Sequence, residues 1–279
     1  MQSRPDTRFG PAAEFGRSEL TALWNRAYEN YFVPIAFTEP LFERHLRRAS
    51  ADLDLSRLLL IGDALHGLSL VGRRQERAYL AGFGIAGAQR GRGLARALLE
   101  AQISALSDAG MREIVLEVIE QNPARMLYRK AGFAEIRPLV VLEGTLAQGR
   151  ASAGMALDAA ALASAHALCN ADTRPTWRRE IPTVLGAVAT EGAVALGVQR
   201  DAAIVGYAVY LEGSEKSALL DAGALDEAAA SDLLDALACA RVGTTWRLVD
   251  EPPDSALFRA ATARGLATGI RQVEMQLAL

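Results

Sequence analysis

The chain has 279 residues, 51 % of them hydrophobic and 23 % charged, with a net charge of −3. That much apolar material excludes a disordered chain, and at roughly 150 residues per domain the length suggests two domains. The acidic balance argues against bulk nucleic-acid binding. Aromatics are only 6 %, so the cores are expected to be aliphatic.

Two cysteines, Cys169 and Cys239, fall in Ala-rich stretches of helical pattern. They read as small buried apolar residues rather than a disulfide. The three histidines lie far apart in sequence, so no metal site is expected. No apolar run reaches the roughly 18 residues of a membrane helix. Residues 1–6 carry no signal-peptide core. The expectation is a cytoplasmic protein with no membrane partner.

In chain order, residues 18–31 form the first predicted helix, with Leu20, Leu23, Trp24, Ala27, Tyr28 and Tyr31 on one stripe. Thr38, Glu39 and Pro40 read as a cap with proline in the first turn, opening a second helix to about Arg48. Strands are predicted at 57–61, 66–71 and 78–85, separated by Gly62-Asp63 and Gly72-Arg73-Arg74 turns. The Gly-rich loop 87–93 leads straight into a helix carrying Leu94, Leu98, Ala101 and Ala105 and ending near Gly110. A strand at 114–119, a short helix at 123–130 stopped by Gly132, and a closing strand at 136–142 complete the unit.

Residues 145–154 are small and polar, which suits a linker. The order then recurs. Helices at 158–170 and 176–188 precede strands at 193–198, 203–210 and 218–224. A helix at 226–240, a strand at 245–249, a short helix from Pro253 and a strand at 272–277 finish the chain. The pattern predicts a duplicated α/β fold (an α+β mixed sheet), with domains at 1–146 and 152–279.

The loop Arg90-Gly91-Arg92-Gly93-Leu94-Ala95 carries the most chemistry. Gly91 and Gly93 let the backbone approach an anion closely. The helix that follows presents unpaired amides and the positive end of its dipole. Together these suit a diphosphate; a plain Gly-rich connection with solvated arginines is the bland reading. A second motif follows one helix and one strand later. Asn122, Ala124, Leu127, Tyr128, Gly132 and Phe133 stand in fixed order after Leu116-Glu117-Val118.

The two pieces resemble the GNAT superfamily of acyl-CoA-dependent N-acetyltransferases, whose phosphate loop reads Arg/Gln-x-x-Gly-x-Gly/Ala. The resemblance covers residues 58–142 well and the preceding helices loosely. Between Asn122 and Tyr128 this chain is one residue shorter than the family's pattern. The resemblance implies two tandem GNAT-like acyl-CoA N-acyltransferase domains and acetyl-CoA as co-substrate. Coenzyme binding falls to Phe83, Gly84, Ile85, Arg90, Gly91, Arg92, Gly93, Leu94, Ala95 and Asn122. Backbone groups at 83–85 would polarise the thioester carbonyl, and Tyr128 would protonate the departing sulfur. The alternative for Tyr128 is a core aromatic beside Phe133. Strand 78–85 has no carboxylate, so Glu117 is the candidate base, with Glu120 in reserve on the opposite face if the strand reaches it. A water chain in place of either stays open. Trp24, Tyr28, Tyr31 and Phe32 would line an acceptor pocket or, above all Trp24, pack on the sheet.

The second half reads as a degenerate copy. Sliding 123–128 onto 253–258 puts Phe258 at Tyr128, Pro252 at Asn122 and Arg247 at Glu117. Residues 222–227 carry two acids and one glycine where the phosphate loop is expected, and acids there repel a diphosphate. The resulting expectation is an acetyl-CoA-dependent N-acetyltransferase acting on a small-molecule amine, with a peptide amine second. A non-catalytic acyl-CoA-binding or sensing protein and a purely structural tandem domain are the alternatives. Tandem domains suit either a pseudo-dimer or a homodimer.

Overall fold

The computed structural model describes residues 7–147, 149, 150, 152 and 154–279. The reading of residues 1–6, and the parts of the expected linker at Gln148, Ala151 and Ala153, lie outside the described residues.

The chain opens with β1 (Thr7–Pro11), α1 (Arg17–Ala27) and α2 (Glu39–Ala49). The meander β2 (Arg57–Ile61), β3 (Ala64–Arg74) and β4 (Arg77–Ile85) follows, then α3 (Leu94–Asp108), β5 (Glu113–Ile119), α4 (Ala124–Lys130) and β6 (Ala134–Thr145). The second repeat runs β7 (Met155–Ala156), α5 (Ala159–Cys169), α6 (Ile181–Glu191), β8 (Val194–Arg200), β9 (Ala203–Leu211) and β10 (Lys216–Ala224). It ends with α7 (Glu227–Ala240), β11 (Thr245–Glu251), α8 (Ala256–Ala263) and β12 (Ala267–Ala278). The duplicated α/β order is therefore present.

Several details depart from the sequence reading. β1 has no apolar alternation to announce it; it is an edge strand held by antiparallel pairing with β2. The first helix stops at Ala27 rather than Tyr31, because Tyr28 caps it and Asn30 takes a left-handed φ of 60°. Cys239 is exposed, not buried, and Cys169 is half-buried; both are free thiols.

The chain divides into two compact units, Met1–Ile136 with Met275–Leu279, and Arg137–Glu274. The division falls inside β6 and β12, not at the linker. The closing strand expected for the first repeat, β6, pairs antiparallel with β11 of the second unit. The end of β12 instead follows β5 in the first unit, where the Leu279 amide donates to Arg112 O at 2.9 Å. A parallel strand such as β5 leaves an edge that must be paired, and β12 supplies the pairing.

In the first unit, α1 and α2 pack Leu20, Leu23, Trp24, Phe42 and Leu46 onto Leu58, Leu60, Leu68 and Leu70. On the other face, Leu94, Ala95 and Leu98 of α3 meet Leu59, Phe83 and Ile85. In the second unit, α7 and α8 pack Leu233, Leu237, Leu257 and Ala261 against Val198, Ala208, Leu219, Trp246 and Leu248. α5 and α6 cover the sheet with Leu162, Ala165, Val184 and Ala187.

Candidate active site

The site begins with a parting of two strands. β4 and β5 run parallel and pair only at Arg77–Glu113, Ala78–Ile114 and Tyr79–Val115. Both strands continue, β4 to Ile85 and β5 to Ile119, without further pairing between them. A bulge in β4 starts the divergence: the register with β3 shifts between Leu80 and Gly82, leaving Ala81 as the extra residue. A bulge twists and bends its strand. The Ala81 carbonyl is held by His45 Nε2 at 3.1 Å, which fixes the bend. Gly82 has no alternative, since a Cβ there would lie 2.3 Å from the Trp24 ring. Trp24 is thus core, stacked between Tyr28 (centroids 4.3 Å) and Phe37 (5.0 Å).

The phosphate loop follows β4. Gly91 and Gly93 take φ of 75° and 78°, the left-handed region that side chains disfavour. Gly93 is the N-cap of α3; no side chain caps that helix and no acid sits in its first turn. The amides of Leu94 and Ala95 have no intrahelical acceptor, so they face outward with the positive end of the dipole, whereas that of Arg96 bonds Gly93 O. Leu94 and Ala95 turn their side chains into the core, leaving their backbone at the mouth. Arg92 lies at the rim, its Nη1 2.5 Å from Gln89 Oε1. Arg90 behaves differently from the sequence expectation. Its guanidinium donates to Ile85 O (3.0 Å), Ala27 O (2.8 Å) and Glu29 O (3.3 Å). It ties the end of α1 to the end of β4, satisfying carbonyls that a helix C-terminus leaves open, and its side chain does not reach toward the front of α3.

A set of phenols lines the parting. Tyr128 on α4 is buried and meets Phe83 edge-on at 5.9 Å and Phe133 at 5.6 Å. Burial raises its phenol well above the usual tyrosine value, and the nearby Tyr28 and Tyr31 phenols push the same way. It therefore stays protonated across the physiological range. Asn122 accepts from the Ala124 amide at 2.9 Å, starting α4, and its Nδ2 donates to Tyr31 Oη at 3.2 Å. The Phe83 amide donates to Tyr28 Oη at 3.1 Å.

Glu117 accepts a hydrogen bond from Tyr79 Oη at 2.7 Å. Tyr79 pairs in register with Val115, so strand alternation puts Tyr79 and Glu117 on one face. That face carries α1: across β3, Gly82 opposes Leu70, which packs with Trp24. Phe83 and Ile85 point to the α3 face. The gap is thus approached by Glu117 from one side and by Phe83 and Tyr128 from the other. The reserve base Glu120 does not stand on the strand, because β5 ends at Ile119. Tyr79 was missed in the sequence, because its place opposite Val115, two residues from Glu117, is set by strand pairing.

The second unit repeats the parting but not its furnishing. β10 and β11 pair in parallel from Lys216–Thr245 to Leu219–Leu248 and then separate, with a bulge at Leu220. Aligning the bulges makes Asp221 the counterpart of Gly82 and Ala222 that of Phe83. By the same pairing, Val115 matches Arg247 and Glu117 matches Val249. At the helix ends, Phe133 N bonds Tyr128 O as Leu266 N bonds Ala261 O, so Ala261 stands for Tyr128. The ungapped slide that put Arg247 at Glu117 and Phe258 at Tyr128 is corrected on both counts, because strands are registered by their pairing and the helix by its C-terminal turn. Neither correction restores an acid or a phenol.

The phosphate loop is missing outright. Ala86 N bonds His66 O and Leu225 N bonds Val205 O at matching places. In the first unit residues 87–92 intervene before the Gly93 cap, while in the second Asp226 caps α7 directly after Leu225. Asp226 accepts from the Ala229 amide at 2.7 Å and is paired with Arg200 at 3.0 Å. The gap itself is filled by the buried Arg179. It donates to Ala222 O on β10 (2.6 Å) and Asp250 O on β11 (3.1 Å), and pairs with Asp221 (2.7 Å) and Glu251 (2.5 Å). Burial alone lowers a guanidinium's pKa; here the Glu251 and Asp221 carboxylates outweigh it and hold the charge.

Among the described residues, no cluster of three or more His, Cys, Asp or Glu forms a metal-holding group. Among the same residues, no helix is long and apolar enough to cross a membrane.

Comparison with known proteins agrees with this geometry. Residues 46–149 match the model of an acetyltransferase (GNAT) domain. No curated protein matches the chain. A putative acetyltransferase from Pyrococcus horikoshii aligns over 98 % of this chain and 89 % of its own, with a TM-score of 0.68 and 17 % identity. A GCN5-related N-acetyltransferase from Sphaerobacter thermophilus covers 98 % and 95 %, with a TM-score of 0.68 and 14 % identity. A tandem GNAT protein from the clavulanic acid biosynthesis pathway covers 98 % of both chains, with a TM-score of 0.69 and 16 % identity. At these identities the structures establish the shared fold. The fold is that of the tandem GNAT proteins. Residues 46–149 thus carry the match to a GNAT acetyltransferase domain, and the chain as a whole carries the duplicated fold.

Proposed function

We propose that the protein is an acetyl-CoA-dependent N-acetyltransferase that uses its first unit to move an acetyl group directly to a primary amine, of small-molecule type. The observation that carries the reading is the parting of β4 from β5 past Tyr79–Val115, opening beside an uncapped, glycine-fronted α3. An unpaired strand edge accepts an extended ligand as a further strand, and the front of α3 suits its diphosphate.

Acetyl-CoA supplies the activated acyl group. The amides of Gly93, Leu94 and Ala95 bind the diphosphate, with Arg92 at the rim. The backbone of residues 83–85 aligns the pantetheine arm, and the Phe83 amide points to the thioester carbonyl. Glu117, oriented by Tyr79, takes the amine's proton directly or through one water. Tyr128 donates a hydrogen bond to the departing sulfur. Its raised pKa keeps it an acid and never a base at working pH. An amine panel with free thiol as the readout tests the reading. Turnover with at least one primary amine is expected; coenzyme binding with no turnover on any amine would leave a binding protein instead.

A further inference from the structure

The donor that the proposed reaction needs at the carbonyl is already engaged. Phe83 N donates to Tyr28 Oη at 3.1 Å. Tyr28 lies just past α1, is held by its stack on Trp24 and by edge contact with Tyr31 (5.1 Å), and keeps part of its surface exposed. Burial of the phenol raises it above the usual tyrosine value, so it carries its proton at neutral pH. An oxygen that accepts one hydrogen bond still has its own O–H to donate. Two donor atoms about 3 Å apart can both reach a third atom at hydrogen-bond distance.

We propose that the Tyr28 hydroxyl is a catalytic donor: it yields the Phe83 amide to the incoming thioester carbonyl and turns its own proton onto the same oxygen. The inference rests on the acetyl-transfer reading. As the amine nitrogen bonds to the carbonyl carbon, the carbonyl oxygen receives the electron pair of the C=O π bond. Phe83 N–H and Tyr28 O–H hold that charge together. The pair returns as the C–S bond breaks, the sulfur leaves with its electrons, and the amine's proton goes to Glu117. Tyr28 ends as it began, with its proton retained.

The second unit supports a role tied to chemistry rather than to folding. There the residue capping the equivalent helix is Asn170, whose Nδ2 donates to Tyr207 Oη at 3.1 Å. The counterpart of Phe83, Ala222, gives its carbonyl to Arg179. The same fold therefore forms with an amide in place of a phenol at this helix cap, and the nearby Tyr207 hydroxyl donates to the Asp221 carboxylate rather than facing an open gap.

Tyr28→Phe keeps the ring and its stack and removes only the donor. The test measures the carbonyl stretch of isotope-labelled acetyl-CoA bound to wild type and to the variant, with no acceptor present. The wild-type carbonyl is expected at lower frequency than in the variant. With an acceptor from the amine panel, kcat is expected to fall about 100-fold while KM for acetyl-CoA stays close to wild type. Equal frequencies in two loaded proteins, or equal kcat, would overturn the role of Tyr28 and leave the acetyl-transfer reading intact. Failure of wild type to bind acetyl-CoA at all would instead remove that reading, and this inference with it.

Discussion

The fronts of α3 and α7 occupy the same place in their repeats and have opposite chemistry. Before α3, six residues (87–92) and two left-handed glycines leave amides turned outward with no acid in the first turn of the helix. Before α7 those residues are gone, and Asp226 folds its carboxylate over the first amides while Arg200 neutralises it. The strand gaps differ in the same sense. Between β4 and β5 the polar groups are phenols, the Glu117 carboxylate and the Asn122 amide at the rim of a parting. Between β10 and β11 a guanidinium bridges both strand edges and has two carboxylates of its own. A fold that parts two parallel strands must satisfy the exposed backbone groups. The second unit does this internally, and in the proposed reading the first does it with its ligand. The two units thus share the parting of their parallel strands and differ in what lies in it.

Substitutions that swap these features test the contrast. The largest effect is expected in the second unit. Arg179→Ala leaves Asp221 and Glu251 buried without their cation, which costs ~3–5 kcal/mol, read as a large drop in denaturation midpoint. A change within the scatter of surface substitutions would mean that the guanidinium is not what closes that gap. Next is Tyr128→Phe, which removes from α4 the hydroxyl that its counterpart Ala261 also lacks. Coenzyme affinity should hold while kcat falls about 100-fold. In wild type, the alkaline limb attributable to this phenol should lie above pH 10, since its pKa is raised and its acid form persists upward; a limb near neutrality that vanishes in the variant would contradict the assignment. Smallest is Gly93→Asp, which copies the α7 cap onto α3. A carboxylate at that position repels diphosphate, and coenzyme A should bind at least about tenfold more weakly, with kcat at saturation much less affected. Unaltered affinity would place the diphosphate elsewhere.

Much of this was legible from residue order. The glycine loop pointed to a candidate site because φ demands are local properties, and the Asn122-to-Phe133 motif did so through the family resemblance it carries. The repeat was visible because hydrophobic period is local as well. What stayed hidden depends on pairing. Nothing in the stretch 136–142 says that β6 joins β11 rather than β5. The match of Glu117 with Val249 requires the bulges at Ala81 and Leu220, and a bulge leaves no mark in composition. Arg90 read as an anion ligand because arginine beside glycines usually faces solvent; two of the three carbonyls it serves, those of Ala27 and Glu29, are far away in sequence. Arg179 carried no motif at all, and only the folded second unit shows why a buried charge belongs there.

Calorimetric titration of the whole chain with acetyl-CoA addresses the central claim most directly. One equivalent bound per chain, with binding weakened in Gly93→Asp and untouched in Asp226→Ala, is the predicted outcome. Two equivalents per chain, or one equivalent lost in Asp226→Ala, would contradict it.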